Sequence, residues 1–479
     1  MVEHQLFTRS FLIFYNMAKL YIFGIGGTGS RVLRSFTMIL ASGVKVGVDE
    51  IVPIIIDPDA SNADLTRAVS LMNNYRSIRS KLSFIDEGNQ FFRKELTQLL
   101  TNYTLRIQDT DNKTFKQFID LPSMDKASQA MMRMLFSEKN LSSSMEVGFK
   151  GNPNIGSVVL NQIVNSNDFQ EFANNFESGD KIFIVSSIFG GTGASGFPLL
   201  LKTLRTGDSF PNNDIINKAE IGAITILPYF KLKADDDSEI DSSTFISKTK
   251  SALTYYENNI SRNGSINALY FLGDNMSGSY ENHEGGSAQQ NDAHLIEFLA
   301  ATAIVDFSNK EHTNTVNKEF GLRDLTGSVT FDSFYDEQRR LLFAPLSQFL
   351  LLSYCLTYKY DYYSSKSFNA NNDHFNGLYE STFMSNIKTI AGSYIEWLKE
   401  MEDNKRSLDL FNLDRKDKPF DLITGLTPKR IFSTKSDYDL VTDRLNSSIN
   451  KCHSKEDCNK FLEMFYIGTS RLISEKFNV

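Results

Sequence analysis

The sequence predicts an α/β protein: a parallel sheet with helices on both faces, followed by a mostly helical C-terminal region. Three observations carry this. Continuous apolar runs ("KLYIFGI", "EIVPIIID", "DKIFIVSS", "AEIGAITILPY", "INALYFLGDN") alternate with helix-like stretches, and strands apolar on both faces belong to a sheet covered on both sides. Two of these runs end in glycine-rich turns that open helices, the strand–turn–helix unit of such folds. Beyond about residue 326 the chain turns aromatic and helical, as in "EQRRLLFAPLSQFLLLSYCLTYKYDYY" and "FMSNIKTIAGSYIEWLKEM", and strand alternation stops.

Composition limits the function classes. A chain of 479 residues has room for roughly two to four domains with real cores. Its 50 basic and 58 acidic residues give a net charge of −8, which argues against binding nucleic acid by phosphate neutralisation. No run of about 18 apolar residues suggests a membrane span. Cys355, Cys452 and Cys458 have neither a zinc spacing nor a second pair. Cys355 reads as a buried core thiol, and unpaired thiols predict a reducing cytoplasm.

Taken in order, residues 1–17 lack the features of a secretory leader and read as an N-terminal extension. Residues 18–325 form the α/β domain. "KLYIFGI" is its first strand, "SRVLRSFTMILAS" its first helix and "EIVPIIID" its second strand. Residues 70–145 are polar, with helical patterning in "DKASQAMMRMLFSEKN", and predict a mostly helical insertion. Strands then resume, with "GFPLLLKTLR" and "STFISKTKSALTYYENN" as helices between them. The Gly/Ser/Asn-rich stretch "GDNMSGSYENHEGGSAQQND" is a loop. It leads into a long helix, "DAHLIEFLAATAIVDFS". Residues 326–479 are the helical C-terminal domain.

Chemistry concentrates in the glycine turns. In "GIGGTGSR", Gly24, Gly26 and Gly29 fit G-x-G-x-x-G between strand and helix, with Gly27 and Thr28 inside the turn. Such a turn brings backbone N–H groups and a helix N-terminus to a phosphate. Asp57, at the tip of the second strand, stands where a ribose-binding acid is expected in a Rossmann dinucleotide site. A packing turn without ligand remains the bland alternative. The tip "IIIDPDASNADLTR" also resembles ubiquitin-activating-type adenylating enzymes, which would be expected to carry a catalytic cysteine and often CxxC pairs; this chain has no CxxC.

The second turn, Gly190, Gly191, Thr192, Gly193, Ala194, Ser195 and Gly196, is not a Walker A loop, because no lysine follows it. "GGTGASG" resembles the GGGTGSG signature of the tubulin/FtsZ superfamily. Further motifs follow that family's order. "GIGGTGS" is similar to its first loop, and "DPDASNAD", with Asp57, Asp59 and Asn62, to its acid-containing second. "GNPNIG", with Gly151, Asn152 and Pro153, is similar to G-A-N-P-x-x-G. The resemblance covers roughly residues 18–325 and implies a parallel Rossmann-like GTPase sheet in a divergent bacterial tubulin-like protein.

It implies GTP or GDP as the bound nucleotide, with Mg²⁺ held through the phosphates and no direct protein ligand. Thr192 and Ser195 would add hydroxyls at the phosphates. Asp235 and Glu239 are the ribose-side candidates. Asn291 and Asp292 would read the guanine edge, with helix capping as the alternative role. The family's in-trans hydrolysis loop is matched only by Asn317 and Glu319, so Glu319 is the one catalytic candidate, against the reading of an exposed loop acid. Self-association head to tail into filaments is the implied partnership, with further protein partners through the helical C-terminal domain. The implied roles are cytoskeletal, DNA positioning or phage conflict.

Overall fold

A computed structural model describes residues 18–477, except 60, 85–86, 111, 146–148, 150–151, 233–244, 275–278, 281–285, 289, 313–315, 320–321, 323–326, 366–374 and 430–433. The central sheet contains β1 (Lys19–Ile25), β2 (Glu50–Ile56), β3 (Glu95–Leu96), β4 (Lys181–Ser187), β5 (Glu220–Ile226), β7 (Ala268–Leu272) and β9 (Val316–Glu319). Its order is β3-β2-β1-β4-β5-β7-β9, and every pairing is parallel. Two short strands, β6 (Lys231–Leu232) and β8 (Ser279–Tyr280), pair separately. The predicted apolar runs are therefore strands buried on both faces: β1, β2, β4 and β5 each have six buried residues of seven.

Twelve helices of eight or more residues lie among the described residues. They are α1 (Gly26–Ala41), α2 (Ala63–Arg79), α3 (Lys126–Leu135), α4 (Pro153–Leu160), α5 (Asn167–Asn175), α6 (Gly191–Thr206), α7 (Phe245–Tyr256), α8 (Leu295–Ser308), α9 (Asp336–Tyr358), α10 (Thr382–Asp403), α11 (Asp437–Ile449) and α12 (Asp457–Phe477). The first two strand–helix crossovers place α1 between the sheet, α2 and α8. Fifteen of its sixteen residues are buried, Arg31 and Arg34 among them.

The 70–145 boundary shifts. Residues 63–79 are α2, a helix of the α/β layer rather than of an insertion, and β3 adds an edge strand. The helix was hidden in the sequence because it packs against α1 on one side and α10 on the other. Its apolar residues are thus spread around the helix instead of lying in one stripe. From about residue 97 to 145 the chain is mostly short turns, with α3 as its one longer helix. Met131, Met134 and Leu135 of α3 are exposed.

The C-terminal region is helical as expected. By length and composition α9 is apolar enough to cross a bilayer, with a mean hydropathy of 1.5 over its best window. Most of that window is instead buried against α10 and α12. Trp397 of α10, fully buried, packs on Phe298 of α8 and donates its indole N–H to Ser35 of α1 at 3.2 Å. The three cysteines are free thiols, and burial pushes Cys355 up to about 12.

Candidate functional site

The two glycine turns lie on neighbouring strands. β1 pairs directly with β4, with Gly24 opposite Val185, so α1 and α6 start side by side at the carboxyl edge of the sheet. Strand order changes direction here, and in open α/β sheets that crevice is where ligands bind.

Glycine is required at several points for different reasons. Gly29 has no room for a Cβ, which would collide with the backbone of Gly24, so the helix start lies directly on the strand end. Gly26 sits at φ +69° and faces Thr192, whose Cβ would be 3.4 Å from a Cβ at Gly26. The first turn thus touches the second. A Cβ at Gly193 would lie 2.6 Å from the Ser187 carbonyl oxygen, holding α6 against the end of β4.

The first turns of α1 and α6 share an electrostatic character. Neither helix has a side-chain cap among the described residues, and neither has an acid in its first turn. Their leading N–H groups lack intrahelical acceptors and point the positive ends of two helix dipoles into one crevice. Helices α2, α4 and α8 are instead capped by side chains. Asn62 caps α2, Asn152 caps α4 with Pro153 following it, and His294 forms a capping box with Glu297 on α8.

These caps give several predicted site residues a local task. Asn62 is buried and accepts from Asp64 N–H at 2.8 Å. Asn152 accepts from Asn154 N–H at 3.1 Å. Ser195 donates to the Gly191 carbonyl at 2.7 Å and is 3% exposed. Its hydroxyl is packed toward Gly156 of α4, where a Cβ would strike it. "GNPNIG" and "GGTGASG" are therefore in contact, although Gly151, like Asp235 and Glu239, lies outside the described residues.

The acid tip forms the neighbouring wall. Asp57 is buried and accepts from Asp59 N–H at 3.0 Å; burial pushes its carboxyl up to about 7. Asp59 accepts from Ser61 and, across the crevice, from Gly286 N–H at 2.6 Å. The helix after the glycine-rich loop starts at Leu295, so His294 is the cap, and neither Asn291 nor Asp292 takes that position. Asp292 is exposed, with its carboxyl raised by partial burial and by Glu400. Asn291 is held by Asp64, which accepts from its backbone N–H at 2.9 Å and from Nδ2 at 2.7 Å. Glu319 ends β9, opposite Phe271 of β7, at the same carboxyl edge as the glycine turns.

Beneath the crevice lies a buried ionic network that the sequence reading missed. Arg31 pairs with Glu297 and with Asp64 at 3.0 Å, and Tyr229 donates to Glu297 at 3.2 Å. The two carboxylates hold Arg31 well above its usual range, against the cost of its burial. Arg34 pairs with Glu400 at 2.6 Å, and Arg67 pairs with the same carboxylate. One signal was present: Glu297 is the single acid in the first ten residues of the apolar "LIEFLAATAIV" stretch, where an unpaired charge is costly. Its partners, far away in the chain, were not legible.

No family model matches the chain, and no curated protein matches it. Among solved structures, similarity is found to CetZ from Methanosaeta thermophila strain DSM 6194, at 14% identity over 54% of this chain and 46% of that one, with a TM-score of 0.27. CetZ2 from Haloferax volcanii, a GTPγS-bound protofilament, is 12% identical over 62% of this chain and 64% of its own, with a TM-score of 0.30. CetZ1 from Haloferax volcanii, a GDP-bound monomer, is 14% identical over 62% of each chain, also at 0.30. These are tubulin/FtsZ-like proteins, the group whose motifs the sequence resembles. The matched region spans less than two thirds of each of them.

Proposed function

We propose that the chain binds a guanine nucleoside triphosphate, as the motif order of the tubulin/FtsZ superfamily implies, and self-associates head to tail. The observation that carries the reading is the meeting of Gly26 with Thr192. It brings two uncapped helix N-termini to one crevice, a suitable site for a polyphosphate. A dinucleotide site on the same strand order would use the first turn and leave the second without a task. The adenylating alternative lacks a cysteine in the α/β domain: all three lie at or beyond position 355.

In this reading the phosphates are held by backbone N–H groups of residues 26–29 and 191–193. Ser195, Asn62 and Asn152 shape the loops instead of touching phosphate. A phosphate-bound Mg²⁺ would offset charge at the β/γ positions. Asp57 and Asp59 stand on that wall, and burial raises the Asp57 carboxyl. Asp292 remains the base-edge candidate, since a carboxylate accepts from both N1–H and N2–H of guanine. Glu319 drops out of the proposed hydrolysis in trans, because a residue serving a head-to-tail neighbour's nucleotide would leave from the opposite edge of the sheet. Isothermal titration of the full chain with GTP, ATP and NAD tests the reading: micromolar binding of GTP alone is expected, and binding of NAD alone would replace it with the dinucleotide reading.

A further inference from the structure

The segment entering α8 is held from outside the α/β domain. Ala293 N–H donates to Glu400 at 2.8 Å, and the Ala293 carbonyl accepts from Asn404 Nδ2 at 3.1 Å. Both partners belong to the end of α10, in the C-terminal region. Two residues further on, Arg406 pairs with Asp274 at 2.7 Å, just after β7, with side chains 16% and 9% exposed. The C-terminal region therefore grips the β7–α8 connection at both of its ends.

The other flank is fixed from the α/β side. Asp64 takes both N–H donors of Asn291, and Arg67 donates to the Asn291 carbonyl at 3.0 Å. Arg67 is in turn paired with Glu400. Asp292 thus stands exposed between two residues whose backbones are both anchored. Ordering of this kind matters for discrimination. Guanine offers donors at N1 and N2, whereas adenine offers an acceptor at N1. A carboxylate held in place rewards the first and opposes the second, while one free to swing away does neither.

We propose that Glu400 and Asn404 are positioning residues through which the C-terminal region sets the base selectivity of the site, by holding Asp292 at the guanine edge. This rests on the guanine-nucleotide reading above. It gives the helical region a role in recognition that the motifs of residues 18–325 do not contain.

The test uses the full chain and three ligands: GTP, ATP and inorganic tripolyphosphate. Asn404→Ala removes the part-buried hydrogen bond to the Ala293 carbonyl and the one Asn404 accepts from Arg406 N–H, and Glu400→Gln removes the charge that holds Arg34 and Arg67. The expected result is a roughly tenfold loss of GTP affinity in each variant, with ATP and tripolyphosphate within about twofold of wild type. Hydrogen exchange of the nucleotide-free protein provides a second readout. The Ala293 amide should exchange at least about tenfold faster in Glu400→Gln, with residues 196–204 of α6 unchanged. Parallel weakening of all three ligands would mark a purely structural role and overturn the proposal. So would an unchanged GTP preference with faster exchange at Ala293. Wild-type protein that binds neither nucleotide removes the guanine reading and this proposal with it, whereas GTP-selective wild type with equally selective variants removes this proposal alone.

Discussion

Replacing Gly26 by alanine separates the phosphate role of the first turn from its role in folding. Gly26 sits at φ +69°, and the nearest atom to an added Cβ is the Thr192 Cβ at 3.4 Å, an ordinary contact. The folding cost is therefore the left-handed backbone alone, about 1–2 kcal/mol. Gly264 has the same φ of +69° with nothing within 4 Å of its added Cβ, so Gly264→Ala carries the same backbone cost away from the crevice. The two variants should lose similar stability in denaturant melts. Only Gly26→Ala should lose nucleotide, because its methyl enters the space between the helix starts. Losing one charge-assisted N–H contact there costs about 1.5–3 kcal/mol, or roughly tenfold to more than a hundredfold in Kd. Titration calorimetry with GTP reads this directly. Equal GTP affinity in the two variants would refute the two-turn phosphate clamp.

Three further outcomes follow from the same geometry. Asp57 has a folded pKa of about 7 against 3.8 for an ordinary aspartate, so the folded state binds more protons in that window and nucleotide-free stability falls as pH rises through it, by roughly 4 kcal/mol at most. Asp57→Asn should flatten the slope of stability between pH 4 and 7 as followed by denaturant melts, and an unchanged slope would count against the buried carboxyl as its source. Ser195→Ala should cost no more than about 1 kcal/mol and leave GTP affinity within about twofold, since the hydroxyl already bonds the Gly191 carbonyl; a large affinity loss would return Ser195 to the phosphates. Trp397→Ala should cost about 3–5 kcal/mol, because it empties a fully buried site between α10, α8 and α1, and limited proteolysis should then cut the C-terminal region more readily.

The strands and glycine turns were legible because their signals are local. An apolar run such as "KIFIV" has one reading when it ends in a glycine turn, and both turns proved to be helix starts on adjacent strands. Helix α2 was obscured by burial on two sides, which removes the stripe that periodicity detects. Strand β9 lies where the sequence suggested only a catalytic loop, and its four-residue edge pairing depends on β7. The ionic network is a matter of long-range geometry: Arg31 and Glu297 are 266 positions apart, and Arg34 and Glu400 are 366 apart. Nothing in "RVLRSF" indicates which acids complete its charges. Separations of 107 and 111 positions likewise hid the grip of Glu400 and Asn404 on Ala293, which ties the helical region to the crevice.

Whether the two glycine turns hold one guanine nucleotide is read most directly from the identity and stoichiometry of the nucleotide released on denaturing the purified full chain, with bound nucleotide first exchanged for an equimolar mixture of GTP, ATP and NAD. About one guanine nucleotide per chain is expected from wild type and almost none from Gly26→Ala. Release of NAD or adenine nucleotide in its place, or equal guanine occupancy in both proteins, would contradict the two-turn guanine site.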